Sequence, residues 1–106
     1  MNEQETETMI QDKGKTARRL SPADIDAAIV AEQYHQFPGT TVTVCCLTLR
    51  NGFNTVGKSA AASPENFDEE IGRKVAKEKA REKIWALEGY RLKEAIYRNQ
   101  PLGQYP

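Results

Sequence analysis

Residues 63–97, SPENFDEEIGRKVAKEKAREKIWALEGYRLKEAIY, decide the fold. The stretch opens with helix-start chemistry. Ser63 is a capping residue and Pro64 suits the first helical position, where its missing N–H costs nothing. Glu65, Asp68, Glu69 and Glu70 favour the positive end of the helix dipole. Lys, Arg, Glu and Ala then carry a long helix as far as about Tyr97, interrupted only by Gly89. At about 100° per residue two stripes emerge. Phe67, Ile71, Val75, Trp85, Leu92 and Ile96 share one side. Gly72, Ala76, Ala80, Ile84 and Leu87 share another, and small residues there allow close approach by a second helix or by a strand pair.

Upstream, TTVTVCCLTLR (Thr40–Arg50) is β-branched and reads as a strand. Asn51-Gly52 follows, the pair favoured in two-residue type I′ turns, and a second strand returns from Phe53 to about Ala60. This register sets Arg50 opposite Phe53, Thr48 opposite Thr55 and Cys46 opposite Gly57. Cys45, Leu47, Leu49 and Val56 then share a face, and Val42, Val44, Cys46, Thr48 and Phe53 the other. Before the hairpin, Leu20-Ser21-Pro22-Ala23-Asp24-Ile25 is a second helix start, with Ser21 as cap and Asp24 reaching back. Ile25, Ala28, Ile29 and Glu32 continue at helical spacing, so a helix of about 13 residues is expected to end near Tyr34. His35-Gln36-Phe37-Pro38-Gly39 is turn chemistry. Residues 1–17 are polar and without period, and read as a disordered arm with basic residues at Lys13, Lys15, Arg18 and Arg19. The fold class is therefore α+β: N-terminal helix, two-stranded antiparallel hairpin, long C-terminal helix. A single domain spans 18–98, and 99–106 form an irregular tail.

The 106 residues allow one small domain, and 39% hydrophobic content makes a thin core. Fifteen basic and fifteen acidic residues cancel, so no global field steers the chain to nucleic acid or an anionic membrane. No apolar run approaches the roughly 20 residues that span a bilayer, and the first residues lack a signal-peptide core. Adjacent Cys45 and Cys46 make no disulfide framework. A cytoplasmic protein is the expectation. Two helix stripes and a ribbon apolar on both faces exceed what one such chain buries. A homo-oligomer is therefore expected, most simply a dimer pairing ribbons or long helices, with Gly72, Ala76, Ala80, Ile84 and Leu87 as candidate contact residues.

VTVCCLTLRNGF, SPENFDEEIGRKVAKEKA and KIWALEGYRL, in this order and led by RLSPADIDAAIV, resemble a family of small tailed-phage proteins known by the gene numbers 49 and 66 of its founding phages. The resemblance covers about Arg19 to Tyr97. Family members often carry a longer, variable insert between the first helix and the strand; here it shrinks to Gln33–Gly39. The resemblance implies a phage or prophage gene product working inside the bacterial cell, and it supplies no activity.

Chemistry is sparse. His35 is the one histidine, in an expected loop, and a Cys–His nucleophile pair with Cys45 or Cys46 is formally available. Adjacent strand residues face opposite sides, so only one cysteine can meet a given partner. Cys45-Cys46 lacks the spacing for shared zinc ligation, and no glycine-rich phosphate loop occurs. The expectation is a non-enzyme with no metal and no cofactor. Arg73, Lys74, Lys77, Lys79, Arg81 and Lys83 form the best electrostatic footprint, readable as a phosphate surface or as a solvated, internally paired helix. Lys83-Ile84-Trp85 with Glu88-Gly89-Tyr90 is the densest set of recognition residues, although Trp85 could equally close the core and Gly89 allow close packing. The ligand or partner candidates are Arg73, Lys77, Lys83, Trp85, Glu88 and Tyr90. The leading expectation is an accessory protein that binds a host protein in takeover or counter-defence. A sponge for a small nucleotide is the alternative, with Arg73, Lys77 and Lys83 on phosphate and Trp85 or Tyr90 on the base. Non-specific nucleic-acid binding comes third.

Overall fold

The computed structural model describes residues 2–14 and 17–101. Along the chain run helices α1 (Glu3–Asp12) and α2 (Pro22–Ala28), then strands β1 (Ile29–Gln36), β2 (Val42–Leu49) and β3 (Asn54–Ala60). A 3-10 turn at Pro64–Asn66 leads to helix α3 (Glu69–Tyr97). The strands form one antiparallel sheet in the order β1-β2-β3, and α3 packs across β2 and β3. The α+β class is as expected, but the sheet has three strands where a two-stranded hairpin was expected.

The third strand comes from the expected first helix. Its start is as read: Ser21 N–H donates to Asp24 Oδ2 at 2.8 Å, and Asp24 N–H donates to Ser21 Oγ at 3.4 Å, a full capping box. The helix stops after seven residues, however, and Ile29–Gln36 pairs with β2. The physical reason is the central strand. Backbone groups of β2 turned away from β3 need partners, and a ladder satisfies a whole row of them at once. Ile25, Ala28 and Ile29 still reach the core, so the apolar positions are core positions although the chain leaves the helical period after Ala28.

The hairpin turn also differs from its expected form. Leu49 N–H donates to Phe53 O and Gly52 N–H to Leu49 O, at 2.8 and 2.9 Å. Gly52 has φ +89°, whereas Asn51 is not left-handed. This is a three-residue loop, a type I turn followed by a left-handed glycine, and not a two-residue type I′ turn. The register moves by one residue: Cys46 faces Val56 and Cys45 faces Gly57. A one-residue slip exchanges the two faces of a strand. Val56 consequently points outward, while Thr55 and Gly57 turn inward beside Thr43, Cys45, Leu47 and Leu49.

At the N-terminus, α1 occupies Glu3–Asp12, where a disordered arm was expected. Asn2 caps it by accepting from Glu5 N–H at 2.8 Å. Lys15 of that arm and residues 102–106 of the expected irregular tail lie outside the described residues. The long helix starts later than Ser63. Ser63 opens only the 3-10 turn, extended Phe67 interrupts it, and Asp68 is the true cap, accepting from Ile71 N–H at 3.0 Å. No described helix is long and apolar enough to cross a membrane.

The small-residue stripe serves this chain's own sheet. Ala76, Ala80 and Ile84 are fully buried with Ile25, Cys45, Leu47 and Leu49. Gly72 C=O accepts from Ser59 Oγ at 2.8 Å. A Cβ on Gly57 would lie 2.2 Å from Ala76 O and 2.4 Å from Ala80 N, so β3 and α3 touch backbone to backbone. As an oligomer contact the stripe is corrected: Ala76, Ala80 and Ile84 are inaccessible, and only Leu87 stays well exposed.

Two glycines give a paired expectation. Gly57→Ala forces a methyl into backbone atoms and should destabilise by about 1–3 kcal/mol or more. Gly89→Ala, in a helix with open space around its position, should stabilise by about 1 kcal/mol. Urea denaturation of both variants checks the opposite signs.

Candidate functional site

The six residues singled out in the sequence do not meet. Arg73 and Lys77 reach over the β1 side of the sheet. The Arg73 guanidinium lies 4.9 Å from the Tyr34 ring centroid and pairs with Glu69 at 3.1 Å, and Lys77 pairs with Glu32 at 3.0 Å. Lys83 turns the other way, its Nζ donating to Val56 C=O on the outer edge of β3. Ten residues of helix, about 15 Å along the axis, also separate Arg73 from Lys83. Arg73, Lys77 and Lys83 therefore form no common phosphate cradle, and each has a partner.

Trp85 turns towards α1. It packs against the core cluster, and with Glu3, Glu7, Ile10, Leu20 and Pro22 it lines a cavity of about 270 Å³. Its Nε1 is buried and meets no partner in hydrogen-bond geometry among the described residues, yet it lies close enough to Glu3 to help lower that carboxyl. The arm of α1 is held there electrostatically. Arg81, its guanidinium mostly covered, donates to both Glu3 oxygens at 2.7 and 2.9 Å and to Asp26 Oδ1 at 2.7 Å. Arg19 grips Glu7 in the same two-pronged way, at 2.6 and 2.9 Å. The Arg81 bonds hold Glu3 below the usual carboxylate range, and Arg19 does the same for Glu7. These clamps join α1 and α2 to α3, a role the basic run on α3 did not reveal.

Glu88 and Tyr90 lie at the far end, in an open groove of about 510 Å³ between the hairpin tip and the last turns of α3. Phe53 comes from the tip, and Leu87, Tyr90 and Arg91 come from the helix. The turn places Phe53 there: the three-residue loop leaves its side chain half exposed beside a helix that passes under Leu49. Tyr90 is 73% exposed. Glu88 is 4% exposed, and its Oε2 accepts from Arg91 Nε at 3.2 Å, while its Oε1 is buried with no hydrogen-bond partner among the described residues. A buried carboxylate oxygen without a donor is costly, so Glu88 Oε1 is a point where a further donor would be stabilising. Gly89 touches nothing across its face, so close packing does not explain it. Phe53 was the residue the sequence missed, because the two-residue turn assigned it to a sheet face.

Among the described residues the two cysteines and the histidine take separate places. Cys45 is buried, and desolvation pushes its thiol up, away from the nucleophilic thiolate. Cys46 faces the opposite side, its Sγ 3.9 Å from Asn54 Oδ1. His35 stacks edge-on against Phe37, with centroids 4.6 Å apart. No group of three or more metal-ligating side chains occurs among the described residues.

Among known proteins, residues 20–96 match the family model described as the phage protein (N4 Gp49/phage Sf6 gene 66) family. No curated protein and no solved structure matches the chain.

The clamps carry a pH expectation. Folding lowers the carboxyl of Glu3 below its ordinary 4.5, so its contribution is fully present above that value and is lost as pH falls through the lower folded value. Glu7 has the same sign. The emission of Trp85, the one tryptophan in the chain, should stay constant above pH 4.5 and shift to the red below it as α1 releases. An emission maximum that moves only when the sheet itself unfolds overturns this.

Proposed function

Because the chain belongs to the phage protein (N4 Gp49/phage Sf6 gene 66) family, we propose that it is a non-enzymatic accessory protein that binds a host protein inside the infected cell, in takeover or counter-defence. The observation that carries this reading is the groove between the hairpin tip and the end of α3. It presents Phe53, Leu87 and Tyr90 beside Arg91 and the unsatisfied Glu88. Aromatic and arginine side chains grouped around a recess are the usual makings of a protein-binding hot spot. A cationic partner side chain would supply the donor that Glu88 Oε1 lacks and could rest on the Tyr90 ring.

The nucleotide and nucleic-acid readings gain no support from this geometry. Both need convergent cations, and Arg73, Lys77 and Lys83 are dispersed and paired. The oligomer reading keeps its motive on different surfaces. A radius of gyration of 16.4 Å exceeds the roughly 13 Å of a compact chain of this length, and α3 shields one face of the sheet, leaving Val56 exposed on the other.

Affinity capture from host lysate tests the reading. The wild-type chain should retain a host protein that the Phe53→Ala/Tyr90→Ala double variant loses by tenfold or more, with circular dichroism unchanged. A Lys79→Ala control should retain it. Identical eluates from wild type and double variant count against the groove.

A further inference from the structure

The two edges of the sheet are not alike. The outer edge of β3 is closed, since Lys83 Nζ donates to Val56 C=O and exposed Lys58 stands beside it. Lysines at an edge are a common means of blocking strand addition. The edge of β1 carries no such device along most of its length. It contains no Lys or Pro, and its one charge, Glu32, is already neutralised by Lys77 at 3.0 Å. A bulge between Ile29 and Ala31 disturbs only its first residues.

The backbone phase of β1 follows from one hydrogen bond. Phe37 N–H donates to Val42 C=O at 3.3 Å. Ladder bonds in an antiparallel pair recur at every second residue, so His35, Gln33 and Ala31 also bond to β2. Glu32, Tyr34 and Gln36 therefore turn their N–H and C=O groups to the open edge, where no described residue takes them up.

The geometry points to a second copy of this chain as the occupant of that edge: two β1 strands pair antiparallel about a two-fold axis, joining two sheets into one. Isologous pairing closes after two copies, whereas β1-to-β3 addition would run on indefinitely and is blocked by Lys83. Self-pairing brings no like charges together in the register that sets Glu32 opposite Tyr34 of the other copy, with Gln33 meeting its own counterpart. The chain carries no net charge, so two copies do not repel. The pairing also completes a cleft. Because α3 sits over β2 and β3, the two long helices would flank the joined β1 strands. Arg73 and Lys77 of each copy would then wall a floor made by Tyr34 and Glu32 of both.

This proposal rests on the oligomer reading and specifies its surface. Sedimentation of the full chain at high micromolar concentration should show a dimer. Amide exchange by NMR should show Glu32, Tyr34 and Gln36 as slow as Ala31, Gln33 and His35. Glu32→Pro removes an outward N–H and leaves the β2 ladder bonds intact, and should give a folded monomer. Glu32→Ala, which loses the Lys77 ion pair and the hydrogen bond from the Tyr34 hydroxyl but keeps its outward N–H, should stay dimeric. In a Cys46→Ser background, Gln33→Cys should form an intermolecular disulfide on mild oxidation, since opposed non-hydrogen-bonded residues lie about 4.5 Å apart at Cα. A dimer with fast exchange at Glu32, Tyr34 and Gln36 overturns the β1 edge while leaving the oligomer standing. A monomer overturns both. Protection of those amides that appears only on adding a host protein assigns the edge to a foreign strand and overturns self-pairing.

Discussion

Gly57 has no room for a side chain, and most of the architecture follows from that. Its Cα lies against the backbone of α3 at Ala76 and Ala80, so helix and strand approach as closely as two backbones can. Dispersion and apolar burial then act over the shortest distance, which a chain with few large core residues requires. The contact also fixes where α3 crosses the sheet. Over β3 and β2 the helix covers Cys45, Leu47 and Thr55, and it reaches β1 chiefly through the side chains of Arg73 and Lys77.

Everything around that contact is held by polar means. Arg81 joins the ends of α1 and α2 to α3 through Glu3 and Asp26, and Arg19 fastens Glu7. These pairs are two-pronged and partly covered, the geometry in which arginine–carboxylate contacts are strongest. The molecule is thus divided between a small apolar centre and an electrostatically fastened periphery. The two parts respond to different conditions: packing changes loosen the first, and acid or salt loosens the second.

The same division distributes the surfaces available for function. Cations that look continuous along α3 in one dimension are sent to three places by the helical turn: Arg73 and Lys77 over β1, Arg81 under α1, Lys83 to the β3 edge. Each neutralises a local acid or a free carbonyl, which explains how a strongly charged helix coexists with a thin core. Among the described residues, unsatisfied polar groups reach a binding surface in two regions, the Glu88 wall of the groove and the open backbone row of β1, while Thr43, Thr55 and Trp85 keep unpaired atoms in the interior. Completing such regions on association would return free energy withheld in the isolated chain.

Local rules made part of this legible in advance. The capping box at Ser21, the β2–β3 strand pair, the long helix and the small-residue stripe all depend on neighbours within a few positions, and the sequence by itself determined them. The family resemblance over Arg19–Tyr97 likewise agrees with the matched residues 20–96. Three decisions were beyond it. Ile29–Gln36 became a strand because β2 needed hydrogen-bond partners, a demand set by residues further along the chain. The hairpin loop took a third residue, which reversed the face of Val56 and brought Phe53 to the groove. The stripe Gly72, Ala76, Ala80 and Ile84 packed on its own sheet, because Gly57 offers backbone contact that no side chain can match. Spacing tells which side of a helix is small or apolar; only the assembled fold decides what stands opposite it.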